Sequence, residues 1–153
     1  MAGFETFLTL TDETVTAGLG ARIARSLRPG DVVALSGELG AGKTALARAI
    51  LRALGVTGHV PSPTFTLVQS YETGALTVHH FDLYRIEDES ELRELGLEEA
   101  REDSAVLIEW PDRGMPQAWA SDALRIALSA TGETARQARI AGPSRWCNLA
   151  GFS

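Results

Sequence analysis

Residues 37–44 read GELGAGKT, an octet that satisfies G-x-x-x-x-G-K-[ST] at every fixed position. Immediately before it, DVVALS (Asp31 to Ser36) is a short apolar run rich in Val and Leu, the pattern of a strand buried on both faces. After it, Leu46, Ala49, Ile50, Ala53 and Leu54 fall on one face of a predicted helix that ends near Gly55. A buried strand, a tight glycine turn and a helix in that order belong to α/β architecture, because such a strand needs sheet neighbours on both sides and helices over its faces. The loop chemistry is equally specific. Glycines let backbone N–H groups curl around phosphate oxygens without an intervening side chain, and the helix that follows turns its positive end toward the same anion.

The same octet holds the one lysine of the chain. All thirteen other basic residues are arginine. Arginine is broad, planar and forked, whereas a loop wrapped closely on phosphate admits a slim ammonium, so Lys43 stands where Arg is a poor substitute. The run Gly37, Glu38, Leu39, Gly40, Ala41, Gly42, Lys43, Thr44 and Ala45 is therefore the predicted nucleotide-binding segment. Within it, Lys43 reaches the β- and γ-phosphates and the Thr44 hydroxyl faces Mg²⁺.

With 153 residues, 44% hydrophobic and 22% charged, the chain has the size and composition of one soluble globular domain, residues 1–153. The stretch MAGFETFLTL lacks the pattern of a secretory signal, and no apolar run reaches the ~18 residues of a membrane helix. A single cysteine, Cys147, fits a reducing, cytoplasmic setting. The net charge of −6 is concentrated: Glu87 to Asp103 holds nine acids and two arginines. That leaves no overall basic footprint for independent binding of nucleic acid. The acidic run itself reads as a solvated helix face, with a docking surface for a basic partner as the alternative.

Along the rest of the chain, Val15, Leu19, Ile23 and Leu27 mark a helix that starts at Thr11-Asp12 and stops at Pro29-Gly30. TLVQSYE and ALTVHHFD predict an antiparallel strand pair around Gly74. ESELRELGLEEAR is helical with a break at Gly96, AVLIEW is a buried strand, and DALRIALSA with ARQARIAG forms a second hairpin about Thr131-Gly132. The fold expected is α/β and P-loop NTPase-like, with a mixed parallel and antiparallel sheet flanked by helices. The tail 143–153 is expected to be loosely ordered.

A nucleotide site of this class needs a carboxylate at the end of a second buried strand. Asp82 after LTVHHF and Glu109 after AVLI both qualify, as metal ligand or as the base that polarises an attacking water. Ser62 and Thr64, in a loop between prolines, are placed to add a hydroxyl to the metal or the γ-phosphate. Arg85 and Arg113 follow the two carboxylates and offer charge in cis, and Trp110 offers an aromatic face beside Glu109. His59, His79 and His80 have no cysteine partner at zinc spacing. No N-K-x-D element is present to read guanine, so ATP is the expected nucleotide, with Mg²⁺.

Four blocks, GELGAGKTAL, VPSPTFTLVQSYE, HHFDLYRIEDESELRELGLEEA and VLIEWPDR, resemble the TsaE (YjeE) family in order and spacing, from about Thr11 to Arg113. S-P-T-F, D-L-Y-R and E-W are not general P-loop features, which makes the resemblance specific. Glu38 stands where many members have Asp, and the C-terminal forty residues match only in style. The resemblance implies an ATPase that supports threonylcarbamoyladenosine modification of tRNA through the TsaB–TsaD complex, without itself transferring the group. It implies that Lys43 binds phosphate, that Thr44 ligates Mg²⁺, that Thr64 is the switch residue at the metal, and that Asp82 and Glu109 act around the metal and the attacking water. Trp110 would lie close to the nucleotide. Its partners would be TsaD and TsaB homologues, with tRNA reached only indirectly and no membrane involved. Two other classes remain open from the residues: a small-molecule kinase, which would need an Arg-rich lid where residues 87–103 are acidic, and a nucleotide-dependent adaptor with incidental hydrolysis.

Overall fold

A computed structural model describes residues 3–61, 63, 66–74 and 76–152. Among them, seven strands form one sheet in the order β1-β7-β6-β2-β5-β4-β3. In chain order the strands are β1 (Gly3–Leu10), β2 (Val32–Ser36), β3 (Val68–Glu72), β4 (Thr77–Asp82), β5 (Ala105–Glu109), β6 (Leu124–Ala130) and β7 (Arg136–Pro143). The middle of the sheet is parallel: β2 pairs with β5 and β6, and β5 with β4. Both margins are antiparallel, with β3 on β4 at one end and β6, β7 and β1 at the other. The sheet is thus mixed, as the two hairpins in the sequence require.

β2 sits at the centre because it is apolar on both faces; Val32, Val33, Ala34 and Leu35 are all buried. One face packs under α1 (Glu13–Ser26) and α2 (Lys43–Ala53), the other partly under α3 (Glu89–Leu95) and α4 (Leu97–Asp103). Asp12 caps α1 by accepting from the Val15 N–H at 3.0 Å, and Leu19, Ile23 and Leu27 are buried as their spacing predicts. α1 and α2 approach closely at Gly20, where a Cβ would stand 2.5 Å from that of Ala49. The buried face of α2 is rotated from the predicted one: Leu46, Ala47, Ile50 and Leu51 are buried while Ala53 is exposed. The glycine break between α3 and α4 is real, with Gly96 at φ 73° closing one helix and opening the next.

Two features were not anticipated. β1 runs along β7 from Gly3↔Pro143 to Leu10↔Arg136, with Leu8 and Leu10 facing the core. The tail, expected to be loose, forms a 3₁₀ helix at Ser144–Gly151 that buries Trp146 and Leu149 in the same core as α1 and β1. The large aromatic at the fourth position from Pro143 supplies enough apolar area to hold the segment down. No described helix is long and apolar enough to cross a membrane.

Candidate functional site

The carboxyl ends of the parallel strands β2, β5 and β4 lie side by side, and the loop after β2 opens there onto α2. Such an edge is where open α/β sheets bind ligands. Gly37 leaves β2 with φ 139°, and a Cβ at that position would stand 2.4 Å from the Leu128 carbonyl oxygen, so no other residue fits without moving β6. α2 begins after Gly42, itself left-handed at φ 104°, and has no side-chain cap. Its first-turn N–H groups therefore face the loop with no side chain of their own to satisfy them. The resulting cleft of about 250 Å³ is lined by Gly40, Gly42, Thr44, Ala45, Asp82 and Glu109 among others.

Lys43 is the first residue of α2 and is buried. Its ammonium donates to the carbonyl oxygens of Gly37 (2.5 Å) and Glu38 (2.8 Å) and lies over the Trp110 ring, 4.3 Å from its centre. Burial pushes its pKa below the ordinary lysine value, and the carboxylates of Glu109, Asp82 and Asp112 oppose that shift in part. Ala41 is buried, Leu39 is exposed at the tip of the loop, and Glu38 points to solvent.

Thr44 donates its hydroxyl to both oxygens of Glu109, at 2.9 and 3.1 Å. Glu109 is the last residue of β5 and stands opposite Asp82, the last of β4, so both carboxylates occupy one row of the sheet beneath the start of α2. Both are buried. Asp82 Oδ1 accepts from the Tyr84 N–H at 3.0 Å, which turns the chain away from the sheet. Trp110 follows Glu109 in a left-handed conformation, φ 60°, uncommon for a bulky residue; it packs on Tyr84 with ring centroids 4.7 Å apart. The strain turns the indole back over Lys43 instead of onward along β5. Ser62 and Thr64 lie outside the described residues.

Of the two arginines predicted to help in cis, Arg113 is exposed and rests over the Tyr84 ring, 5.4 Å from its centre; Arg85 is exposed beside the turn that follows β4. A third arginine, Arg136, bonds the loop directly. Its guanidinium donates to the carbonyl of Gly40 (3.2 Å) and to those of Gly132, Glu133 and Ala135 in the β6–β7 turn, and its Nε lies 3.1 Å from where a Cβ of Gly42 would be. Sequence reasoning missed Arg136, since nothing local relates it to a loop 96 residues away. It also passed over His80, whose Nε2 is hydrogen-bonded to Glu109, and Tyr84, whose ring packs behind Trp110. For His80 a signal existed: two-residue alternation puts it on the same strand face as Asp82.

What the arrangement can do follows from its charges. Before any ligand, Lys43 is accompanied by two buried carboxylates, so a polyphosphate would meet repulsion unless a divalent cation came with it. The donors present are a hydroxyl and carboxylates, all oxygen, which suits Mg²⁺. Among the described residues no three His, Cys, Asp or Glu side chains gather as a metal cage, so the remaining ligands would be phosphate oxygens and water.

Residues 10–138 match the family described as threonylcarbamoyl adenosine biosynthesis protein TsaE. Three curated relatives carry the name tRNA threonylcarbamoyladenosine biosynthesis protein TsaE. That of Rickettsia felis is 44% identical over 69% of this chain and 62% of its own length; that of Bacillus subtilis is 39% identical over 80% and 76%. That of Streptomyces coelicolor is 40% identical over 79% and 84%. The match spans only about three fifths of the Rickettsia felis and Rickettsia conorii proteins, 62% and 60%. The crystal structure of YdiB from Bacillus subtilis superposes with a TM-score of 0.77 at 26% identity, covering 99% of this chain and 95% of that one. The chain belongs to the TsaE family of tRNA threonylcarbamoyladenosine biosynthesis proteins.

Proposed function

We propose that the chain binds Mg-ATP and hydrolyses it in support of threonylcarbamoyladenosine formation on tRNA. The observation that carries this reading is the meeting of Lys43, Thr44, Asp82 and Glu109 in one cleft at the start of α2. In this account the loop N–H groups and the helix end hold the phosphates. Lys43 turns its ammonium from the Gly37 and Glu38 carbonyls toward the β- and γ-phosphates, a short swing from its present position. Thr44, with one of Glu109 and Asp82, would hold Mg²⁺, and the ion when bound would neutralise charge on the phosphates. Whichever of the two carboxylates is not a direct ligand holds the attacking water and receives its proton. Trp110 closes the cleft beside the phosphates and limits access of bulk water.

Among the residues described around the cleft, the positive groups of the chain are few: Lys43 is inside, Arg136 is occupied with backbone carbonyls, and Arg113 lies over Tyr84. A site short of transition-state donors turns over slowly by itself. This supports a partner-coupled ATPase, with TsaB and TsaD homologues as the partners, working in the cytoplasm and reaching tRNA only through that assembly. The acidic surface of α3 and α4 is consistent with the lack of a direct tRNA footprint.

The experiment is nucleotide binding and phosphate release by the purified chain, with Glu109→Ala as the comparison. Under the ATPase reading this variant loses hydrolysis and the cellular modification together. Retention of modification with hydrolysis gone would instead mark the chain as a nucleotide-dependent adaptor. ADP release accompanied by a phosphorylated metabolite would mark it as a kinase.

A further inference from the structure

We infer that His80 is a positioning residue of this cleft, holding Glu109 in the orientation that the Thr44 hydroxyl requires; the inference rests on the nucleotide reading above. His80 is 1% exposed, on the face of β4 that also carries Val78 and Asp82. Its Nε2 lies 2.7 Å from Glu109 Oε2, and the Glu109 side chain is itself only 3% exposed. The other Glu109 oxygen is held by Thr44 Oγ1 at 2.9 Å. Thr44, Glu109 and His80 therefore form a buried chain that runs from α2 across β5 to β4.

The direction of the His80 bond follows from its partners. An ionised carboxylate only accepts, so Nε2 carries the proton and donates. Nδ1 has no partner among the described residues. The Nε2–H donor is thus fully used by Glu109, and no described group offers an acceptor to Nδ1. No packing reason calls for histidine here: the apolar residues on this face of β4 and β5 are Val78, Ala105 and Leu107, among which an aliphatic side chain would be buried without desolvating a polar ring. What histidine adds is a rigid donor at a fixed reach. With it, Glu109 has both oxygens bonded and one orientation; without it, Oε2 keeps only the long 3.1 Å contact from Thr44 and the carboxylate is free to rotate.

Two variants separate this role from simple packing. His80→Gln keeps an N–H donor near the Nε2 position, and His80→Leu keeps bulk without a donor. ATP hydrolysis is followed as kcat and KM over a range of Mg²⁺, and ADP affinity is measured calorimetrically with and without Mg²⁺. For His80→Leu, we expect kcat to fall by about 30-fold or more and the Mg²⁺ needed for half-maximal rate to rise about 5-fold, in the range typical of lost outer-shell partners. KM for ATP and Mg-free ADP affinity should stay within about 3-fold, and His80→Gln should recover to within about 5-fold of the wild-type kcat. Equal losses in both variants, or loss of Mg-free ADP affinity in His80→Leu, would assign His80 to the fold and overturn the inference. Wild-type behaviour of His80→Leu would overturn it too. A wild-type chain that fails to bind ADP under either condition would overturn the nucleotide reading itself, and this assignment with it.

Discussion

The Lys43 ammonium is held 4.3 Å over the centre of the Trp110 ring while it donates to two carbonyls of its own loop. The charge is thus held inside the cleft by a cation–π contact and two backbone acceptors, which phosphate oxygens would replace under the proposed function. Trp110 is in place for this only because it follows Glu109 in a left-handed turn. The residue that supplies the carboxylate and the residue that covers the lysine are therefore fixed by one kink.

That placement has a pH signature. Burial lowers the Lys43 pKa below the ordinary 10.5, and phosphate bound beside it favours the charged form and raises the value again. Between the two values the free protein lacks a proton that the complex holds. Nucleotide binding should then weaken as pH rises through the lowered pKa and be accompanied by proton uptake on that alkaline limb. Calorimetry in two buffers of different ionisation enthalpy measures it. Asp112→Asn removes a charge that supports the ammonium and should move the limb to lower pH; a limb at the same pH in the variant would count against the stated electrostatics.

Gly37 tests the loop geometry through stability. Alanine there combines a left-handed backbone with a Cβ only 2.4 Å from the Leu128 carbonyl oxygen. A cost of about 1–3 kcal/mol is expected from such strain, equivalent to roughly 2–4 °C in Tm for each kcal/mol in a domain of this size. Thermal unfolding followed by circular dichroism reads it directly, and a Tm equal to wild type would show that β6 yields easily at this point.

The tail makes a separate prediction. Trp146 is 2% exposed and Leu149 fully buried, so the 3₁₀ segment is part of the core. Trp146→Ala should destabilise the protein by about 3–5 kcal/mol, the usual cost of truncating a large buried aromatic. Urea unfolding would show the midpoint falling with little change in slope. A midpoint unchanged within error would return the segment to the loose tail expected from sequence.

Much of this architecture was legible in the residues. The octet at Gly37–Thr44, the apolar run before it and the periodic helix after it specified strand, loop and helix, and the structure forms β2 and α2 there. Gly96 and the Thr131-Gly132 turn marked breaks that occur where the sequence has them. β1 was overlooked because FETFLTL breaks the alternation at Thr6-Phe7, where Phe7 faces out, and because a lone edge strand has no neighbour in sequence to announce its partner; β7 lies more than 120 residues away. For the site, strand ends pointed to Asp82 and Glu109 one by one. Their adjacency needed the β4–β5 register, which depends on sheet order. Arg136 was illegible for the same reason, being joined to Gly40 only by the return of the sheet edge.

The most direct test of the account is ATP hydrolysis by the purified full chain in Mg²⁺, alone and with its cognate TsaB and TsaD homologues, with Lys43→Ala as the blank. The account predicts slow phosphate release by the chain alone, with Lys43→Ala about 100-fold or more below it, and a clear rise in the wild type when the partner proteins are added. Phosphate release equal in wild type and Lys43→Ala, with and without the partners, would contradict it.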